Sequence, residues 1–235
     1  MEARHIQHLY LRVGFGADAQ TLKNLSLKSK EEVVSQLIAH SSNVKPLTID
    51  LSEFESLMNL EYRQLKKKET AESIKGLVSK SRKKLVDFNV AWIQRLTKTN
   101  TLLAEKMTLF WANVFVCRDN NIWHMQLYNN LLRDNALGNF RDLVKEVAQS
   151  ASMSKYLNNR QNVKESPNEN FARELMELFT LGVGNYTEKD IKEAARAFTG
   201  WSFRLNGDFF LRPFKHDNGE KVFLVSGETL MAMIL

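Results

Sequence analysis

The sequence predicts an all-α, multi-helix globular domain with one β-hairpin near its C-terminal end. Three observations predict it. The 235 residues contain only 3 prolines and 10 glycines, too few for a turn-rich β architecture. Apolar residues recur at helical spacing through most of the chain. That period gives way to short strand-like runs only around Asn206-Gly207, the strongest short hairpin signal.

The elements follow in order. A first helix is expected from Arg4 to Arg12, stopped by Gly14 and Gly16. Asp18 is placed to cap a second short helix. Ser29 followed by Glu32 forms a capping box, and Val33, Val34, Leu37 and Ile38 supply the apolar face behind it. Residues 41–50, with Pro46, read as a loop. From Leu51 to about Thr97 the chain is helix-rich, but the polar stretch 63–84, weakened by Gly76, reads as loose and solvated. Leu102–Val116 reads as an apolar core helix, followed by helices at Ile122–Leu132 and Phe140–Gln149. A polar loop, 158–166, leads to Pro167. Phe171–Leu181 is a strong helix closed by Gly182 and Gly184, and Thr187 caps another that runs to about Phe198. Trp201–Leu205 and Phe209–Arg212 flank the hairpin turn. Residues 1–224 are expected to form one helical domain.

Composition bounds the function. Hydrophobic residues at 43% and charged residues at 26% are ordinary globular values. A chain of this length buries enough surface to fold without a disulfide or metal staple. Cys117 is the only cysteine and lies in an apolar stretch, so it reads as a small buried hydrophobe and not as a nucleophile. The N-terminal residues show no apolar signal-peptide core, and no run approaches the roughly 18 apolar residues that span a bilayer. A cytoplasmic location is expected on that ground, with an envelope-associated one as the alternative.

The net charge of +6 is concentrated in 63–84, where nine basic residues stand against Glu69 and Glu72. Such a segment can contact phosphates, but it has only Tyr62 and Phe88 at its margins and lacks interleaved stacking residues. A solvated helix face is the preferred reading, and nucleic acid is not the favoured partner.

No H-E-x-x-H, cysteine cluster or P-loop is present. Val13-Gly-Phe-Gly16 is too short for a dinucleotide loop and no strand precedes it, so close packing explains it better. His5 and His8 read as surface residues, and Trp92, Trp111, Trp123 and Trp201 as core aromatics.

The stretch from Ser166 to Glu188 is the most informative. Asn168 is placed to cap its helix. Glu169, Arg173 and Glu177 fall on one stripe at successive i, i+4 steps, with Glu174 at its edge. Phe171, Leu175, Leu178 and Phe179 cover the opposite face. One reading is an acid–base–acid ladder that pins the helix to a neighbour. The sharper one is a carboxylate pocket in which Glu174 and Glu177 meet His216 and Asp217, suited to a divalent metal or to acid–base chemistry. The ladder ranks ahead.

This stretch resembles the hallmark of the bacterial domain-of-unknown-function 1800 family. Leu9–Gly16, Met107–Trp111, Leu137–Leu143, Ala194–Trp201 and His216–Lys221 are similar to its other blocks, so the likeness covers nearly the whole chain. The family has no established activity; its members are often encoded beside an exported, sulfatase-like family, which the resemblance offers as a partner class. Many members read Trp-His-x-His-Phe where this chain has Trp111-Ala112-Asn113-Val114-Phe115, so any metal held by that histidine pair is not held here in the same way. Members also continue after the His-Asp block, with a Gly-Asn-Phe-Asn-Gly-Asp-Asp run. Back-translating 225–235 with one base restored reproduces that run, and the single codon of methionine fits at both Met231 and Met233. The chain therefore reads as the N-terminal portion of a longer family domain, with 225–235 as an out-of-frame tail.

Three functions rank in order: an interaction or accessory module working with a partner protein, a metal-assisted hydrolase using Glu174, Glu177, His216 and Asp217, and a weak nucleic-acid binder through 63–84.

Overall fold

The computed structural model describes residues 1–58 and 60–224. Among them are twelve α-helices and one two-stranded antiparallel hairpin, so the chain is all-α with a hairpin near its C-terminal end.

Local chemistry sets the first third. Helix α1 (Ala3–Val13) ends where Gly14 packs on Leu102; a Cβ there would stand 3.1 Å from the leucine Cβ. Asp18 caps α2 (Ala19–Ser26), accepting the Thr21 N–H at 2.6 Å. The Ser29–Glu32 box closes α3 (Lys30–His40). These three helices bury Ile6, Tyr10, Leu25, Val33 and Leu37 together. The loop that follows is pinned from afar: Asn130 accepts the Leu47 N–H and donates to the Leu47 carbonyl, at 2.8 and 2.9 Å.

The basic segment is not a loose stretch. It forms α5 (Tyr62–Lys68) and the first half of α6 (Ala71–Lys98), a 28-residue helix, after the short α4 (Glu55–Met58). Thr70 caps α6 by accepting the Ser73 N–H. Leu77, Leu85 and Phe88 pack it against Leu51, Phe54, Met58 and Ile122. Gly76 has nothing near its missing side chain and costs only helix propensity.

Helices α7 (Leu102–Val114), α8 (Ile122–Asp134) and α9 (Phe140–Gln149) stand where expected. Within α7 the buried residues are Ala104, Glu105 and Thr108, whereas Phe110 is 50% exposed. A charged residue occupies its inward face, so the helix is less purely apolar core than its sequence suggests. Helix α10 (Ala151–Tyr156) falls in a stretch to which the sequence assigned no element; Ser150 caps it, but it is too short to show an apolar period.

Helix α11 (Glu169–Glu177) stops four residues before Leu181. The N–H groups of Leu181 and Gly182 both return to the Met176 carbonyl, and Thr180 Oγ1 donates to the Leu175 carbonyl, so the chain leaves the helical path early. Leu178 is consequently 62% exposed and not part of the buried face. Thr187 and Asp190 close a capping box on α12 (Glu188–Ala197). Phe115, Val144, Phe171, Met176, Ile191 and Phe198 belong to the main core, between α8–α9 and the α11–α12 pair. Strands β1 (Trp201–Phe203) and β2 (Phe209–Leu211) pair with Phe203 opposite Phe209, and Gly207 takes φ +90° in the turn. No described helix is long and apolar enough to cross a membrane. Residues 225–235, read above as an out-of-frame tail, lie outside the described ones.

Candidate functional site

The hallmark stretch works as a brace. Asn168 caps α11 by accepting the Asn170 N–H at 3.0 Å. Its own N–H donates to Asn162 Oδ1, and Asn162, fully buried, donates to the Ala195 carbonyl of α12 at 2.8 Å. Arg173 donates to Glu169 at 3.2 Å and grips Glu188 with two bonds of 2.8 and 2.9 Å, tying α11 to the start of α12. Glu177 leaves the ladder and accepts the Tyr186 hydroxyl at 2.9 Å instead. Trp201 is buried, its ring edge-on to Phe198.

Of the four residues of the expected carboxylate pocket, His216 and Asp217 share one setting, and among the described residues no bond links it to Glu174 or Glu177. His216 and Asp217 meet around Thr199: His216 Nδ1 donates to the Thr199 carbonyl at 2.8 Å, and the Asp217 N–H donates to Thr199 Oγ1. Arg196 donates to the Asp217 carboxylate at 2.8 Å, and with the Gly219 N–H it holds that carboxyl down to about 2. Glu177 is engaged by Tyr186, and the half-buried Glu174 side chain takes no hydrogen bond or ion pair among the described residues. No hydrogen bond or ion pair joins either glutamate to His216 or Asp217. Among the described residues no group of three or more His, Cys, Asp or Glu side chains is placed to hold a metal.

A different polar cluster sits deeper. Asp119 and His124 are almost completely buried, at 0% and 2% side-chain exposure. Asn121 caps α8, accepting the Trp123 and His124 N–H groups, and its side-chain amide donates to the Leu205 carbonyl of the hairpin. Asp119 Oδ2 meets His124 Nδ1 at 2.9 Å, while Oδ1 accepts from Lys155 Nζ and from the Asn121 N–H. Burial alone pushes the Asp119 carboxyl up; the bonds and charges of His124 and Lys155 outweigh it and leave the group below its ordinary value. His124 Nε2 faces the Arg204 carbonyl at 3.3 Å. Both ring nitrogens therefore look at acceptors, and both bonds form together only when both carry hydrogen. Both ring nitrogens are thus turned to partners within the fold. Ser81, nearby, is likewise spent: its Oγ donates to the Asn120 carbonyl and accepts the Ile122 N–H. Cys117 is inert in this neighbourhood, since burial pushes its thiol up to about 12.

This cluster forms one wall of an apolar cleft of about 430 Å³. Leu57 and Met58 of α4, Leu65 of α5, Ile74, Leu77 and Val78 of α6, and Phe203 and Leu205 of the hairpin line it. Its polar lining includes His124, Lys155, Arg160 and Arg204, and no aspartate or glutamate. The Leu205 N–H donates to the Leu60 carbonyl at 3.1 Å and ties the hairpin to the α4–α5 turn. Sequence reasoning missed the cleft because its walls come from separate stretches, none unusual by itself.

A family model described as Protein of unknown function (DUF1800) matches residues 8–233. The chain belongs to this family. No curated protein and no solved structure matches it. In this DUF1800 chain, Ala112 and Val114 are half-buried and packed against the main core. They fill with apolar contact the positions at which the resemblance suggested histidines.

Proposed function

We propose that this DUF1800 chain is an interaction module that acts with a protein partner, and that the partner inserts an apolar segment into the cleft between α4, α5, α6 and the hairpin. One observation carries the reading: a concave, mainly apolar space within the roughly 300–1,000 Å³ range of binding sites, rimmed by a few polar groups. The chemistry around it supports binding over catalysis, because the buried imidazole and Ser81 are both spent on structural bonds. An exported, sulfatase-like protein of the kind encoded beside family members is one partner to try.

The test is photo-crosslinking in producing cells. A benzophenone side chain at Val78, on the cleft wall, is expected to give one discrete adduct with a second protein. The same group at Leu27, which is 87% exposed and outside the cleft, is expected to give none. No adduct from Val78, or the same adducts from both positions, contradicts the reading. Fractionating the same cells separates a cytoplasmic from an envelope-associated location.

Metal-assisted hydrolysis by Glu174, Glu177, His216 and Asp217 is the weaker reading, since three of the four are engaged by separate neighbours. Stoichiometric metal in the purified protein, lost on Glu174→Ala and on His216→Ala, would restore it. Nucleic-acid binding through 63–84 ranks last, and salt-sensitive affinity for RNA or DNA would raise it.

A further inference from the structure

Resting on the docking reading above, we infer that the segment received by the cleft is acidic: an amphipathic helix whose apolar side chains enter and whose carboxylates meet a basic rim. Charge complementarity carries the inference. The lining contains Lys155, Arg160 and Arg204 and not one carboxylate. Lys155 is already ion-paired with Asp119 behind the wall, so the charge this end of the cleft offers a partner is chiefly that of Arg204. Arg204 lies over the Phe210 ring at 5.8 Å and has no carboxylate within ion-pair range among the described residues.

The walls add to this. The helices that turn Leu65, Ile74 and Leu77 into the cleft are net basic, and Lys68 and Lys75 stand exposed within three residues of lining positions; Glu55, Glu61, Glu72 and Asp208 stand equally near along the chain and offset part of that charge without cancelling it. Inserting apolar side chains removes water from beside these cations, which strengthens their attraction for carboxylates at the rim. A basic or neutral segment of equal apolarity gains nothing from them. An anionic membrane shares the charge but not the shape. The apolar residues line a concavity, so an inserted helix reaches them and a bilayer surface does not.

The test uses fluorescein-labelled Leu/Ala helical peptides of about fifteen residues with Glu, Gln or Lys on the polar face, titrated with the full chain. The Glu peptide is expected to bind about tenfold tighter than the Gln peptide, with the Lys peptide weakest. Raising salt from about 50 to 300 mM is expected to erase most of the difference. The double variant Lys75→Glu, Arg204→Glu, at two exposed positions, is expected to lose the preference while its thermal unfolding stays that of the parent. Equal binding of the Glu and Gln peptides, a preference that survives in the double variant, or tighter binding to phosphatidylglycerol vesicles than to the Glu peptide overturns the inference. If no peptide binds but the Val78 adduct forms, the charge inference falls and the docking reading stands. If neither is seen, both fall.

Discussion

Glu105 lies in the apolar run Leu102-Leu-Ala-Glu-Lys-Met107, has no exposed side-chain surface, and is held by two arginines. Arg133 meets it with bonds of 2.7 and 3.2 Å and Arg95 with one of 2.7 Å, while Trp92 Nε1 donates to its second oxygen. Taking these charges out of water is expensive, and only near-complete pairing offsets it. Glu105→Gln leaves Arg133 buried beside Arg95 without a counter-charge and is expected to cost about 3–5 kcal/mol in urea unfolding. Replacing both partners, Glu105→Leu with Arg133→Met, is expected to cost much less, because no buried charge is then orphaned. A second prediction concerns acid. The folded-state values of Asp119 and Asp217 lie below the ordinary 3.8, so their contribution is complete above that value and is lost as pH falls through the folded values, about 2 for Asp217. Asp217→Asn is expected to flatten the acid limb of stability between about pH 4 and 2, measured by circular dichroism. Caps were legible at this scale because Asp18, Ser29, Asn168 and Thr187 act on backbone within three residues. Glu105 was not, because its buried arginine partner is 28 positions away.

Elements depend on a few backbone positions. Gly200 takes φ +79°, and a Cβ there would stand 2.8 Å from the Arg212 carbonyl. Its N–H donates to the Asn162 carbonyl, and its carbonyl accepts the Arg212 N–H, so it joins the hairpin to the loop before α11. Gly200→Ala is expected to destabilise by more than about 1 kcal/mol. Gly76, in mid-helix with open space around it, is the opposite case, and Gly76→Ala is expected to stabilise by up to about 1 kcal/mol. Paired thermal melts check both, and a gain from Gly200→Ala would contradict the geometry. The same contrast explains what was legible in α6. Its polarity hid the 28-residue helix, since the basic side chains cover only the face turned to water. Leu77, Leu85 and Phe88, spaced as a helix requires, do the packing. The end of α11 was misplaced for a different reason: Gly182 and Gly184 mark where the turn finishes, not where the helix does.

At the scale of the molecule, three apolar clusters hold the helices among the described residues, and the cleft opens beside the one built on Leu51, Phe54, Met58 and Phe88. Helical class and hairpin could be read from period and turn residues, because both are local. The cleft could not, since His124, Lys155 and Arg204 lie far apart along the chain and meet only after α8, α10 and the hairpin have packed. Of the carboxylate pocket drawn from the sequence, Glu177 is bonded to Tyr186 and Asp217 to Arg196, partners that sequence spacing does not reveal. The cleft as docking site is the central claim, and methionine-methyl NMR tests it most directly. Met58 lines the cleft, whereas Met153 and Met176 are sealed in the main core at 1% and 0% exposure. On titration with the acidic Leu/Ala peptide, the Met58 methyl resonance is predicted to shift to saturation while those of Met153 and Met176 stay in place. A peptide that binds and leaves Met58 unmoved would contradict the account.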